Sequence, residues 1–216
     1  MDATKRQQQM RRGVTALRHQ FAQGGSGVFS AVLEGADAAQ IIETEAGHYR
    51  DRCYPPLTTL RLFIGQVLSE DGACQDVVGR HLSACVATGR RPCGLNTGPY
   101  CQARQRLPLA MPQRLSRMVG ERLESRMPKA WCWRGRHVKL FDGTTVSMPD
   151  TPENQRAFPQ SSEQKPGLGF PVARIGGLIS LASGAVLAHA VAACKGKGTG
   201  EQTLLRGLLP LIVKSD

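Results

Sequence analysis

A chain of 216 residues, 41% apolar and 5% aromatic, has room for one ordinary domain or two small ones, and its apolar content excludes wholesale disorder. Its 28 Lys/Arg against 17 Asp/Glu leave a net charge of +11. Residues 138–216 hold 8 Lys/Arg against 6 Asp/Glu, so residues 1–137 hold 20 against 11 and carry +9 of that surplus, the footprint of a polyanionic partner, most often nucleic acid.

Residues 1–30 read as a basic, flexible lead-in, with Lys5, Arg6, Arg11 and Arg12 ahead of Gly24-Gly25-Ser26-Gly27. From Leu33 to about Met127 the apolar spacing is helical. Pro55-Pro56 introduces a face made of Leu57, Leu60, Phe63, Ile64, Val67 and Leu68. Asp71 or Gly72 starts a second helix, in which Cys74, Val77, Val78 and Leu82 point one way. After a Gly- and Pro-rich loop over 89–98, Thr97-Gly98-Pro99 reads as a cap with proline in the first turn, opening a short helix through Arg106 that Pro108 ends. Met111, Leu115, Met118, Val119 and Leu123 then form an apolar arc. Arg114, Arg117, Glu121 and Glu124 share the opposite side, which the mixed signs mark as a solvated surface.

The pattern changes after Trp131-Cys132-Trp133. Val138 to Asp142 reads as a short buried strand ending in a carboxylate, and Thr151–Pro171, with no usable periodicity, as a loop. Gly177 to Ala193 carries no formal charge but is too short for a bilayer span, which needs about 20 residues. Ser183-Gly184 at its centre turns it into a buried β-hairpin, roughly Arg174–Ala182 with Ala185–Ala192. Cys194 to Gly198 is a basic turn, and Thr199 with Gln202 forms a capping box before Leu204, Leu205, Leu208 and Leu209. The seven cysteines show no C-x-x-C pair, and no histidine pair follows at finger spacing, which argues against structural zinc. Without a signal peptide at Met1, reduced thiols in a cytosol are expected.

An aspartate on a buried strand is costly unless it is hydrogen-bonded or holds a cation. By itself, Asp142-Gly143 after an apolar run reads more simply as a turn. The surrounding strings add to it. Leu140-Phe141-Asp142-Gly143-Thr144-Thr145-Val146-Ser147-Met148-Pro149-Asp150 resembles the first-aspartate strand of DDE transposases of the insertion-sequence-four family. Thr151 to Gln155, Gln164 to Pro171 and Gly196 to Glu201 are similar to that family as well, as is Tyr100 to Pro108 upstream. The resemblance spans about residues 53–216.

It implies an α+β chain in which a helical N-terminal region precedes the first part of an RNase H-like α/β catalytic domain: three antiparallel strands and a helix. The expected divisions are a lead-in over 1–30, a helical DNA-binding domain over 31–130 and an incomplete catalytic domain over 131–216. By position Asp142 corresponds to the first metal ligand and catalytic aspartate of an Asp-Asp-Glu triad. That triad holds Mg²⁺ (or Mn²⁺) for strand nicking and transfer at transposon ends. Asp150 and Glu201 match no catalytic position, and Asp216 reads as a turn residue before the strand that carries the second aspartate. The chain is therefore expected to be an N-terminal piece, inactive by itself.

Double-stranded DNA is the expected partner, with self-association possible in principle, and the expected location is the nucleoid of a bacterial cytoplasm. Arg104, Arg106, Lys165, Arg174, Lys195 and Lys197 are the candidate DNA contacts, with Arg50, Arg52, Arg90 and Arg91 as further cations in the helical part. Two other readings stand beside this one. The same piece could occupy transposon ends without cutting and so repress transposition, or the chain could be an unrelated basic nucleic-acid-binding protein.

Overall fold

The computed structural model describes residues 33–50, 52–161, 163, 165 and 167–212, together with residues 8, 12 and 15. Most of the basic lead-in, Gln164, Pro166 and Asp216 therefore lie outside the described residues. Two compact units divide the chain, residues 1–115 and 116–216. The described residues form seven α-helices and three strands, a mixed α+β composition.

In the first unit, α1 (Ala36–Ala46) buries Ala38, Ile41 and Ile42. α2 (Pro56–Leu68) begins where the sequence predicts, with proline in its first turn, where a missing N–H costs nothing. Its buried face differs from the expected apolar one. Thr59, Leu60 and Gln66 are buried, whereas Val67 is 58% exposed. Thr59 sits inside because its hydroxyl donates to the carbonyls of Tyr54 and Pro55, both at 3.0 Å. α3 (Cys74–Ala87) starts two or three residues later than expected and buries Val77, Val78, His81 and Cys85. α4 (Gly98–Gln105) starts as expected, but the Thr97 side chain caps nothing. Asn96 Oδ1 accepts the Gly98 N–H instead, at 2.8 Å. Val77, Val78 and the fully buried Tyr100 form the core, packed by Tyr54, Leu62, Cys74 and Leu82.

α5 (Ala110–Ser125) contains the division between the units. Met111, Leu115 and Met118 of the expected arc are buried, but Leu123 is 41% exposed. Arg117 pairs with Glu121 at 2.8 Å across one turn, on the solvated side as predicted. Glu124 departs from that side and is only 15% exposed.

The second unit is a three-stranded antiparallel sheet in the order β1-β2-β3. Its strands are β1 (Lys139–Ser147), β2 (Val172–Ser180) and β3 (Val186–Ala193). β2 and β3 form the expected hairpin about Gly184, whose φ of 68° suits glycine. The hairpin is not wholly buried, since Val186 and Val191 are 44% and 47% exposed. The segment read as a featureless loop contains a short helix, α6 (Pro152–Ala157), whose Thr151 side chain accepts the Asn154 N–H at 3.2 Å. Amide side chains hold the rest of that loop. Gln155 donates to Asp150 Oδ1 (2.7 Å) and to the Gly169 carbonyl (3.0 Å), and Gln160 donates to the Lys165 carbonyl (2.9 Å). Glutamines thus substitute for absent backbone ladders, which explains why no periodicity marks them.

α7 (Glu201–Leu208) follows the sheet and buries Leu204 and Leu208. The expected capping box does not form: Gly200 is the cap, and the Thr199 hydroxyl donates back to the Gly196 carbonyl at 3.0 Å. α7 lies on the sheet face that carries Phe141, Gly143 and Gly176. A side chain at Gly143 would meet Glu201, and one at Gly176 would meet Phe141 and Leu204. Among the described residues, no helix is long and apolar enough to cross a membrane.

Candidate functional site

β1 is longer than the sequence suggests, and Asp142 stands inside it, not at its end. Side chains alternate across a strand, so Asp142 shares a face with Leu140, Thr144 and Val146, opposite the face that α7 covers. All four are exposed. The expectation of a buried strand ending in a carboxylate is thus corrected. Water solvates Asp142, and its Oδ1 accepts the Gly143 N–H at 2.9 Å, so no cation is required to stabilise it. Its cross-strand partner is Gly177, whose own partner on β3 is His189. The glycine between them leaves the strip from Asp142 to His189 open. The outer edge of β1 has no partner strand among the described residues.

The donor set around Asp142 does not make a two-metal site by itself. Such a site needs several oxygens converging on cations about 3.5–4 Å apart. Glu201 approaches the strand at Gly143, on the face away from Asp142. Among the described residues, no group of three or more His, Cys, Asp and Glu side chains could hold a metal ion.

The six candidate DNA contacts fall into three situations. Lys165, Lys195 and Lys197 are exposed, the last two in a turn with positive φ at Gly196 and Gly198. Arg174 is half-buried and donates to the Thr199 carbonyl at 3.2 Å, which holds the segment leading into α7. Arg104 faces inward within the first unit. Its guanidinium lies 4.6 Å from the Phe63 ring centre and 5.6 Å from that of Tyr100. It also donates to Gln66 Oε1 at 3.0 Å. The same oxygen accepts the Tyr100 hydroxyl at 2.8 Å, while Gln66 Nε2 donates to the Gly72 carbonyl at 2.6 Å. A buried amide, a buried phenol and a half-buried guanidinium therefore satisfy one another. Burial is the main reason that the Tyr100 hydroxyl is pushed up to about 12, against the opposing pull of the Arg104 charge.

Arg106 is different. It is exposed and lines a cleft of about 840 Å³ in the first unit, with His48, Tyr49, Arg50, Arg52 and Gln102. The walls come from the segment after α1, the start of α2 and the C-terminal half of α4. Cys53 and Cys93 are joined by a disulfide, which ties the cleft-lining Cys53 to the loop before α4. The expectation that all seven thiols are reduced is corrected at this pair, which lies 40 residues apart in sequence and so gives no spacing signal. Arg90 and Arg91 are exposed but do not line the cleft.

Nothing in the sequence singles out Tyr49 and His48 except their place beside Arg50 and Arg52. Glu124 is likewise hidden among the charges of its helix. Glu124 Oε1 lies 2.6 Å from Lys139 Nζ and 2.8 Å from His137 Nδ1, and Oε2 accepts from Ser183 at 3.2 Å. Burial acts to raise this carboxyl. Lys139, Ser180 and Ser183 together outweigh burial and hold it below its ordinary value.

Comparison of the chain with family models, with curated proteins and with solved structures returned no match.

Proposed function

We propose that the chain is a duplex-DNA-binding protein of the DDE transposase type, in which the helical unit holds transposon-end DNA and Asp142 is the first metal-ligating aspartate of a strand-transfer site. The observation that carries the DNA-binding part is the cleft that Arg50, Arg52 and Arg106 line, within the part of the chain that holds +9 of its +11 charge. Guanidinium groups suit phosphate oxygens because their planar fork donates two parallel hydrogen bonds. The transposase part rests on the resemblance of the strings around Asp142. The finer fold reading, an RNase H-like catalytic domain, is supported by hairpin-joined antiparallel strands followed by a helix, and by a β1 edge open to a further strand.

Asp142 supplies one ligand of the three or more that a two-metal centre requires, and the described residues complete no such group around it. That deficit favours the second reading, occupation of transposon ends without cutting, for the chain acting by itself. The cytoplasm and nucleoid are the proposed location.

Fluorescence anisotropy with a labelled duplex tests the reading. Affinity should fall linearly with salt on logarithmic axes. Arg106→Ala, Arg50→Ala and Arg52→Ala should each reduce that slope by about 1. Binding that ignores salt, or slopes left unchanged by all three substitutions, would remove the cleft from the account. A supercoiled-plasmid nicking assay with Mg²⁺ or Mn²⁺ separates the two roles: Asp142-dependent nicking by this chain would refute the non-cutting reading.

A further inference from the structure

The two tryptophans of the chain stand two residues apart, Trp131 at the end of a single 3-10 turn (Lys129–Trp131) and Trp133 at the start of a tight hairpin. Trp133 and Arg136 form an antiparallel bridge, each N–H donating to the other's carbonyl at 3.0 and 2.9 Å. The two residues between them, Arg134 and Gly135, have φ of 50° and 79°. Two left-handed residues in a two-residue loop give the turn that matches strand twist. Next to the bridge, Cys132 and His137 meet, with Cys132 Sγ 3.7 Å from His137 Nε2, and His137 Nδ1 reaches Glu124 at 2.8 Å. These contacts anchor one side of the hairpin. Trp131 and Trp133 are each 62% exposed.

Large aromatic side chains are buried on average, and two exposed indoles two residues apart present apolar surface that needs a partner. The charge around them narrows that partner. Residues 126–136 contain Arg126, Lys129, Arg134 and Arg136 and no carboxylate, and the Arg134 guanidinium lies 5.1 Å from the Trp133 ring centre. All four cations sit at exposed positions. A ligand that fits offers flat π-faces at short intervals along an anionic backbone. Unpaired nucleotides do so, whereas a duplex keeps its faces stacked inside.

We propose that the Trp131–Arg136 segment is a stacking platform for unpaired nucleic-acid bases, with Arg134 and Arg136 on the adjoining phosphates. This rests on the nucleic-acid reading above and adds to it a single-strand contact separate from the arginine cleft. A protein that acts on DNA ends meets unpaired bases wherever a duplex frays, and the platform would hold them.

The test uses the full chain and two labelled probes, a short oligothymidylate and a mixed-sequence duplex. Anisotropy reports binding, and tryptophan emission reports the platform directly, because no other tryptophan exists in the chain. Oligothymidylate should quench the emission. Trp131→Ala and Trp133→Ala should each weaken its binding by about tenfold or more, and leave duplex affinity within about twofold. Trp131→Phe and Trp133→Phe, which keep a ring and the fold, should retain most of the single-strand affinity.

Single-strand binding without quenching, or unaffected by both alanine variants, would overturn the platform while leaving the duplex reading intact. Quenching by oligothymidylate with no duplex binding would support the platform and sink the cleft. Failure to bind either probe would overturn both. A blue-shifted emission with phosphatidylglycerol vesicles but not with oligothymidylate would make the hairpin a membrane contact and refute the proposal.

Discussion

Replacing Glu124 by glutamine should destabilise the second unit far more than its position on a charged helix would suggest. The carboxylate accepts from Lys139 at 2.6 Å and from Ser183 at 3.2 Å, and lies 2.8 Å from His137. The Lys139 side chain is only 8% exposed, so water cannot replace the lost counter-charge. Breaking a buried ion pair from one side costs about 3–5 kcal/mol, because the remaining charge is left uncompensated. Glu124 retains 15% exposure, which brings the expectation down to about 2–4 kcal/mol. Against a total stability of about 5–15 kcal/mol, that loss should move a urea midpoint, followed by circular dichroism, by about 1–2 M. Glu121→Gln, which loses only an exposed one-turn pair, is the control and should cost under about 0.5 kcal/mol. Glu124→Leu combined with Lys139→Met should recover part of the loss, since removing both charges leaves neither stranded. A Glu124→Gln midpoint within error of the parent would refute the view that this carboxylate neutralises a buried lysine.

The acid response follows from the same carboxylate and from His81. The folded-state value of Glu124 is depressed, so its contribution is fully present above the ordinary carboxylate range and disappears as pH falls through that depressed value. His81 is lowered chiefly by burial, with a Cys53 backbone hydrogen bond raising it and the Arg90 charge lowering it. The neutral ring is therefore favoured in the fold, and stability should decline once pH drops below about 6.5, the unfolded value. Urea midpoints across pH should show the His81 decline first, and His81→Gln should abolish it. Gly176→Ala should cost about 1–3 kcal/mol, because the new Cβ would lie 2.6 Å from the Phe141 ring, and Phe141→Leu in the same chain should relieve it in a thermal melt. Arg104→Ala should lower the melting temperature of the first unit while changing the salt slope of DNA binding much less than Arg106→Ala. The reverse order would undo the assignment of Arg104 to the internal network. Thiol titration of the unfolded, unreduced chain should find five free cysteines, and a count of seven would show that Cys53 and Cys93 are not joined.

Local order is legible wherever neighbouring residues decide it. The apolar spacing in α2, α3 and α5 marks helices because side chains three and four apart share a face. Ser183-Gly184 marks the β2–β3 turn because glycine accepts positive φ cheaply. The caps are less legible. Thr97 and Thr199 stand where caps belong, yet the Gly98 N–H goes to Asn96 and the Thr199 hydroxyl donates back to the Gly196 carbonyl, since a short polar side chain has several backbone partners within reach. α6 escapes notice because Thr151 and the loop glutamines satisfy the backbone one group at a time, with no period to read.

The sequence by itself determined the helical and β regions, the basic charge and its concentration in the first 137 residues, and the order of the strings around Asp142. Tertiary structure decided which of those charges face water. Glu124 and Arg104 each sit on a helix surface that could point either way. Partners 15, 59 and 38 residues distant in the chain draw them inward. The exposure of Asp142 depends likewise on which sheet face α7 covers. Periodicity reports contacts within a turn or a strand pair, whereas the burial of a charge depends on segments brought together only when the chain closes on itself.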